Sequence, residues 1–335
     1  MLILSVAASR AALADDAATT LTQEALRSAI DRSLPLLIRG ANGSIEQRPK
    51  CFTCHGQGAA IRTLSAAKAR GIPIDEGAFR KQVQFVTEFL TRDKDRYRAG
   101  RGPGGHALTA GYALWALEEG SVQPDATTES VVEYLLGYQK DRDHWEPDMP
   151  RPPSEKSFFA ASYVALRGLQ TFGTPAQEER IRERVGQVGE WVRTTTAEET
   201  EDRVFRLWSL HAIGAEPDEI SSAVKDLVKS QRDDGGWPQK DDMWSDPYST
   251  GTALVALHRA GGMPTTAPTY QAGLRYLLNS QLRDGSWHVV TRSEPIMTYF
   301  ESGFPHDGDQ FLSMSATSWA TTALILALPP RHQVP

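Results

Sequence analysis

The segments QRDDGGW at residues 231–237 and QLRDGSW at residues 281–287 decide the fold of this chain. A third segment, QKDRDHW at residues 139–145, has the same spacing, with Trp six residues after Gln. Each segment follows the apolar end of a helical pattern. The interval from residue 139 to residue 231 holds two units of about 46 residues, which is the size of a two-helix repeat. A degraded copy, GEWVRTTT at residues 189–196, occupies the position between them.

Amphipathic helical patterns alternate along the chain with helical runs that contain few charges. In the first amphipathic pattern, apolar residues recur at helical spacing at Leu26, Ile30, Leu34 and Leu37. This alternation predicts two concentric layers, in which the amphipathic helices shield the apolar ones from water. The outer helices are predicted near residues 22–39, 76–91, 126–139, 177–193, 217–231 and 266–281. The inner helices are predicted near residues 56–70, 106–119, 155–172, 200–214, 247–261 and 313–328.

Six such hairpins are enough to close a ring, which removes the exposed ends that an open solenoid must cap. We therefore predict an all-α fold, an (α/α)6 toroid that spans residues 20–330 as one domain, and the alternative is an open helical stack. The apolar run Phe311–Leu328 contains no charged residue. Because it falls in register with the repeat, we interpret it as a buried core helix and expect no membrane span.

The Gln–Trp turns, with Asp-Gly or Asp-Asp-Gly before two of the tryptophans, resemble the QW repeats of squalene cyclases and related prenyltransferases. The resemblance covers about residues 60–330. The C-terminal segment YFESGFPHDGDQFLSMSATSWATTALILAL resembles bacterial proteins of this repeat type that carry an N-terminal haem-binding motif. The resemblance implies the α/α toroid, and it implies that the Gln and Trp residues have a structural role at helix ends.

The catalytic motifs of the resembled enzymes do not match this chain. Class II terpene cyclases protonate a double bond with an Asp of a D-x-D-D motif, and no such motif occurs here. The zinc prenyltransferases use Asp, Cys and His, but no Cys accompanies Asp246. If the toroid holds an isoprenoid or another apolar ligand, Asp202 and Asp246 are the candidate acids at the mouth of its cavity. Asp202 has a simpler interpretation as a helix N-cap or surface ion pair. Whether the chain is an enzyme stays open.

The segment Cys51-Phe52-Thr53-Cys54-His55 is a C-x-x-C-H motif, the attachment signature of c-type haem. In such a site, the two thiols add to the two vinyl groups of the porphyrin and the His binds the iron. The two cysteines are the only ones in 335 residues, and both lie in the motif. The sequence therefore predicts one covalent haem c in the first inter-helix turn, with Cys51 and Cys54 as anchors and His55 as the proximal ligand.

Three other chemistries fit the same residues. A C-x-x-C pair can act as a redox dithiol, although no βαβ pattern surrounds it. It can hold zinc together with His55 and a fourth ligand, or it can form a local disulfide in an oxidising compartment.

The second axial position of the iron is less constrained by the sequence. His306 and His106 are the first candidates for the distal ligand, and Met243, Met314 or an open position are alternatives. If all inner helices begin at one rim of the toroid, that rim collects further polar side chains near the haem: His106, Glu201, Asp202, Asp246, Tyr248 and Asp309.

The N-terminus and the overall charge suggest where the protein acts. Leu2–Ala8 is apolar and Ala12-Leu13-Ala14 forms an A-x-A cleavage pattern, so residues 1–14 are interpreted as a signal peptide without its positively charged start. This predicts a periplasmic or otherwise exported protein, and residues 331–335 are interpreted as a tail. With 36 Lys and Arg against 42 Asp and Glu, the formal charge is −6, which argues against nucleic-acid binding.

Two functional hypotheses follow. The first is an exported mono-haem c-type protein that transfers electrons to a periplasmic redox partner or senses redox state. The second is a toroid enzyme or binding protein for an isoprenoid or other apolar ligand.

Overall fold

The computed structural model describes residues 21–148, 151–295 and 298–329. Six amphipathic helices form the outer layer: α1 (Gln23–Gln47), α3 (Glu76–Arg92), α6 (Ala126–Gly137), α8 (Glu178–Thr194), α10 (Pro217–Lys229) and α12 (Pro268–Ser280). Six largely apolar helices form the inner layer: α2 (Ala59–Ala69), α5 (His106–Glu119), α7 (Phe158–Phe172), α9 (Thr200–Ala212), α11 (Pro247–Arg259) and α13 (Gln310–Ala327). A short helix, α4 (Lys94–Arg98), follows α3. The strands β1 (Trp237–Pro238) and β2 (Ser245–Asp246) pair antiparallel before α11. The predicted signal peptide at 1–14 and the tail at 331–335 lie outside the described residues.

Burial separates most inner helices from most outer helices, and the exception is α6, which buries 8 of its 12 residues against 8 of 13 in α9. Every residue of α13 except Phe311 and Ala327 is buried, whereas α10 buries only Ala223 and Leu227. An all-apolar helix is stable in water only when other elements surround it, and an amphipathic helix provides that cover. The interpretation of Phe311–Leu328 as a core helix is therefore confirmed. Within the described ranges, no helix has both the length and the apolar character that a membrane crossing requires.

The ring is closed by contacts between the last and first hairpins. Helix α13 packs against α2 and α1, and each other inner helix packs against the next. Thr63 Oγ1 of α2 donates to the Ser318 carbonyl of α13 at 2.9 Å. Thr321 Oγ1 donates to Ser33 Oγ of α1 at 2.8 Å. The predicted toroid is confirmed, and the open stack is not.

Helix α1 is longer than predicted, since it continues to Gln47 instead of ending near residue 39. The glycines after residue 39 suggest a helix end in the sequence. In the structure, Gly43 instead allows the Ser302 backbone to lie directly against the helix, where any Cβ would meet the Ser302 carbonyl at 2.0 Å. The loop before α13 thus packs along the end of α1.

The three Gln–Trp turns share one hydrogen-bond pattern. Each indole Nε1 donates to the carbonyl ten residues earlier, in the last turn of the preceding outer helix. These bonds are Trp145 to Leu135 at 3.3 Å, Trp237 to Leu227 at 2.8 Å and Trp287 to Leu277 at 2.8 Å. Each Trp backbone N–H donates to a hydroxyl of the next inner helix, on Ser162, Thr250 or Thr317. The turns therefore join each outer helix to the following inner helix, which is the structural role that the resemblance implies.

Candidate functional site

The first inter-helix turn, Cys51–Gly58, is built differently from the Gln–Trp turns. A π-helical turn, Cys54–Gly58, leads into α2. Insertions of this type recur at functional sites. Thr53 and Gln57 brace the turn reciprocally, because the Thr53 N–H donates to Gln57 Oε1 at 2.9 Å and the Gln57 N–H donates to Thr53 Oγ1 at 3.2 Å. Gln57 Nε2 also donates to Gln82 Oε1 of α3 at 3.1 Å, which fixes the turn to the outer layer.

The two thiols of this turn are free. Cys51 is half-buried and Cys54 is buried, with 8% of its surface exposed. Burial, followed by the effect of Cys54, raises the pKa of the Cys51 thiol above its ordinary value, although nearby arginines oppose this. Without a partner group, the Cys51 thiol is therefore held mainly in its neutral form at neutral pH.

The ring of His55 points into the molecule. Its edge meets the face of Tyr112 of α5 at 4.8 Å between ring centres. Its Nε2 lies 3.2 Å from Glu155 Oε1, which is close enough for an ion pair. The relative orientation of the two groups does not form a hydrogen bond, so Nε2 is buried without a hydrogen-bond partner among the described residues. Burial opposes a charge on the ring, but Cys54 and Glu155 outweigh it and raise the pKa of His55.

Glu155 is the functional group that the sequence did not reveal. It lies in the segment before α7, where Arg151 forms an ion pair with it, and both side chains are partly or largely covered. Burial acts to raise the pKa of Glu155, but His55 and Arg151 lower it overall, so the carboxylate is charged at neutral pH. A single Glu more than ninety residues from the C-x-x-C-H motif has no spacing pattern that a sequence could show.

The donor atoms of Cys54, His55 and Glu155 all lie within 4.8 Å of one another. A thiolate, an imidazole and a carboxylate are a donor set that zinc or iron accepts. For haem c, the required groups are two free thiols and an imidazole nitrogen free to bind iron. Cys51, Cys54 and His55 supply them once Nε2 exchanges its ion-pair contact with Glu155 for the iron, so the donor groups present fit the attachment chemistry of haem c.

The acids proposed from the sequence have structural partners. Asp202 accepts from Ser157 Oγ at 2.6 Å and from the Glu199 N–H at 3.1 Å. Asp246 is the N-cap of α11 and accepts from the Ser249 N–H at 3.0 Å. Burial raises the pKa of Asp246 to about 6, against the effect of those hydrogen bonds.

Their neighbour Glu201 has the more unusual environment. It is 4% exposed in the first turn of α9, and its Oε1 accepts from Tyr248 Oη at 2.9 Å. Its Oε2 is buried and has no hydrogen-bond partner in the part of the chain described. Burial raises the pKa of Glu201 to about 8, so this carboxyl is largely protonated at neutral pH. Glu201 and Tyr248, which the topology predicts at one rim, are in direct contact.

The two predicted distal ligands lie in hydrogen-bond groups of their own. His106 Nδ1 is 3.0 Å from Tyr134 Oη, and its Nε2 is 2.6 Å from Asp148 Oδ2. His306 Nε2 is 2.8 Å from Ser286 Oγ, and its ring stacks on His288 at 4.5 Å. The structure therefore gives both histidines other partners, and it places Glu155 next to His55 Nε2.

Side chains fill the centre of the ring. The guanidinium of Arg62, 5% exposed, lies over the rings of Trp115 at 4.3 Å, Trp319 at 4.8 Å and Tyr112 at 5.5 Å. The cavity next to it measures only about 10 Å³. A cavity of this size holds one water molecule. The sequence predicted aromatic residues on the inner helices, but not that an arginine would occupy the space among them.

No known family model matches the chain. A 117-residue segment is 30% identical to the lanosterol synthase ERG7 of Saccharomyces cerevisiae, and this segment is 34% of the chain and 15% of that enzyme. The chain thus spans only a small part of the length of the curated relative it matches.

Solved structures support the fold over nearly the whole chain. A type II terpene cyclase, MstE from Scytonema in complex with merosterolic acid A, matches 91% of this chain and 97% of its own, with a TM-score of 0.59 and 14% identity. The same enzyme in complex with geranylgeranyl dihydroxybenzoate gives a TM-score of 0.58 over the same shares, also at 14% identity. A possible GH105 family member from Salmonella enterica gives 0.55 over 97% and 98% of the two chains, at 13% identity. These likenesses show an all-α toroid similar to terpene cyclases.

Proposed function

We propose that this protein is an exported c-type haem protein built on an α/α toroid, which transfers electrons or senses redox state. The observation that carries the proposal is the first turn, where two free thiols precede a histidine whose buried Nε2 has no hydrogen-bond partner among the described residues. The contact with Glu155 Oε1 at 3.2 Å is an ion pair without a hydrogen bond. A buried polar atom that lacks a hydrogen bond is costly, and a metal bond removes that cost.

In this proposal Cys51 and Cys54 anchor one haem covalently, and His55 Nε2 binds its iron. The bound haem supplies reversible one-electron chemistry, which serves exchange with a periplasmic redox partner. Thr53 and Gln57 hold the backbone of the motif in place, and Tyr112 fixes the plane of the His55 ring. Glu155 keeps a negative charge beside the site, which favours the oxidised, more positive state of the iron.

The test is expression of the full chain with a c-type haem maturation system, followed by haem staining after denaturing electrophoresis. We expect stain on the wild-type chain and none on the Cys51→Ala/Cys54→Ala double variant. His55→Ala should keep the stain but change the absorption spectrum, and His211→Ala, at an exposed position, should change neither. An unstained wild-type chain that contains stoichiometric zinc would contradict the proposal and assign Cys54, His55 and Glu155 to a zinc site.

A second candidate function is binding or conversion of an apolar, isoprenoid-like ligand within the toroid. Two observations favour it: a matching terpene cyclase structure contains a geranylgeranyl compound, and Glu201 is a buried, protonated acid with one free oxygen. The filled centre opposes it, because Arg62, Trp115 and Trp319 occupy the space that a long ligand needs.

Titration of the protein with geranylgeraniol, followed by tryptophan fluorescence, tests this candidate. Because Trp115 and Trp319 line the centre, a ligand that enters it should change their emission with a saturable dependence. Glu201→Gln should then alter affinity or turnover while Glu178→Gln, at an exposed position, should not. The absence of any saturable change would remove the candidate.

A further inference from the structure

The cavity at the centre of the ring is bordered by an unusual pair of donors. Arg62 of α2 and Ser318 of α13 both line this cavity, and Arg62 Nη1 and Ser318 Oγ are each buried without a hydrogen-bond partner among the residues described. The neighbouring hydroxyls are satisfied, because Thr63 Oγ1 and Thr322 Oγ1 both donate to the Ser318 carbonyl, at 2.9 and 2.8 Å.

The charges around the cavity do not balance. Arg167 pairs with Glu118 at 2.6 Å, and Arg259, which also lines the cavity, lies 4.0 Å from Glu119. Within the described ranges, no carboxylate lies within ion-pair distance of Arg62. The carboxylate whose charge acts on Arg62 is Glu119, but it also lies 4.0 Å from Arg259, and its Oε1 accepts from Trp115 Nε1 at 3.2 Å. The three arginines Arg62, Arg167 and Arg259 thus share two carboxylates, Glu118 and Glu119, which leaves one positive charge in excess.

Aromatic rings compensate this charge only in part. Cation–π contacts with Trp115, Trp319 and Tyr112 stabilise the guanidinium, but they do not satisfy the Nη1 donor. Burial lowers the pKa of Arg62 from its ordinary value, although an arginine stays charged at neutral pH. A buried charge is stable when a partner of opposite charge accompanies it.

We propose that this cavity binds one small inorganic anion, a halide such as chloride, between Arg62 Nη1 and Ser318 Oγ. A volume of about 10 Å³ holds a single small particle, which favours a monatomic anion over a carboxylate or a phosphate. A water molecule fits the space but leaves the charge of Arg62 uncompensated. The site is independent of Cys51 and Cys54, so it does not depend on the proposed haem.

The direct test is a crystal structure of the full protein grown in sodium bromide, with anomalous data collected at the bromine edge. We expect an anomalous peak within hydrogen-bond distance of Arg62 Nη1 and Ser318 Oγ. Bromide at surface positions only, with water or no density in the cavity, would overturn the proposal.

Thermal unfolding gives a second readout in solution. At constant ionic strength, replacing gluconate with chloride should raise the midpoint of the wild-type chain saturably, because a ligand bound to the folded state stabilises it. Arg62→Met should lose this response, and Ser318→Ala should weaken the apparent chloride affinity about tenfold, the effect of losing one hydrogen bond to a charged group.

Arg182→Ala, at a position whose side chain is 70% exposed, is the matched control and should respond as the wild type does. If Arg62→Met does not fold, the Ser318→Ala variant and the bromide structure still decide the matter. A wild-type midpoint that is the same in chloride and gluconate would contradict the proposal.

Discussion

The Gln–Trp turns and the first turn occupy equivalent places in the ring, since each joins an outer helix to the next inner helix. They differ in whether their buried polar groups have hydrogen-bond partners. In the turn that ends at Trp237, the indole N–H and the backbone N–H both have buried acceptors within the protein. In the turn that begins at Cys51, two thiols are free and His55 Nε2 has no hydrogen-bond partner in the part of the chain described.

This difference is the one that the proposed function predicts between structural turns and a turn that binds a group. A turn that satisfies all its buried donors contributes to stability and leaves nothing to bind a ligand. A turn that keeps donors free in a closely packed protein loses stability, and the loss is compensated when a ligand binds. Mutations in the two regions should therefore separate stability from ligand attachment.

The largest effect is expected in a structural turn. Trp237→Ala removes a fully buried indole and its hydrogen bond to the Leu227 carbonyl, and should lower the free energy of unfolding by about 3–5 kcal/mol. Urea unfolding monitored by circular dichroism measures this. Trp244→Ala, at a position 92% exposed, should change stability by less than about 0.5 kcal/mol. Equal effects of the two substitutions would contradict the structural role of the turn.

A pH-dependent effect is expected at Glu201, the buried acid in the first turn of α9. Its pKa is about 8 in the folded protein, and about 4.3 is usual in an unfolded chain. Between these values only the folded state holds the proton, so the free energy of unfolding falls as pH rises, by up to about 1.4 kcal/mol per pH unit.

Glu201→Gln removes this dependence and still accepts a hydrogen bond from Tyr248. The free energy of unfolding of Glu201→Gln, relative to that of the wild type, should therefore increase steadily from pH 5 to pH 8. Urea unfolding at each pH measures this difference. Glu178→Gln, whose side chain is 72% exposed in the wild type, provides the comparison. Parallel curves for wild type and Glu201→Gln would show that the carboxyl is charged in the folded state.

A smaller effect is expected where one backbone donor loses its acceptor. Thr250→Val keeps the side-chain shape but leaves the buried Trp237 N–H unpaired, which should cost about 1–2 kcal/mol of unfolding free energy. Thr266→Val, at an exposed position, serves as the control in the same urea titration. A neutral result for Thr250→Val would mean that the Trp237 N–H finds another acceptor.

The smallest effect on stability is expected in the first turn. Cys51 is half-buried and its thiol makes only a weak contact, 3.8 Å to the Phe52 carbonyl. Cys51→Ser should therefore change the stability of the haem-free chain by less than about 0.5 kcal/mol in urea unfolding. A loss comparable to that of Trp237→Ala would place the first turn among the structural turns.

Most of the fold could be predicted because it follows from periodic patterns. Helices α5, α9 and α11 begin at the residues predicted for them. Their starts could be predicted because apolar periodicity and the Gln–Trp spacing are local properties of the sequence. The extension of α1 to Gln47 was missed because it depends on packing between Gly43 and the distant Ser302. Contacts of this kind leave no local pattern.

The candidate site was predicted only where its residues lie within one short segment of the sequence. Cys51, Cys54 and His55 stand out by their spacing, and they stay a prediction for haem. Glu155 and the unsatisfied oxygen of Glu201 emerge only when the ring brings different repeats together. The Asp202 and Asp246 carboxylates, which the sequence favoured as acids, have hydrogen-bond partners at helix starts.

The most direct test of the account is the covalent haem content of the full chain after export with a c-type maturation system. A pyridine haemochrome spectrum combined with the intact mass gives the number of haems per chain. We predict one covalent haem in the wild type and in Trp244→Ala, and none in the Cys51→Ala/Cys54→Ala variant. A wild-type chain with the mass of the polypeptide alone, and with both thiols free or joined in a disulfide, would contradict the account.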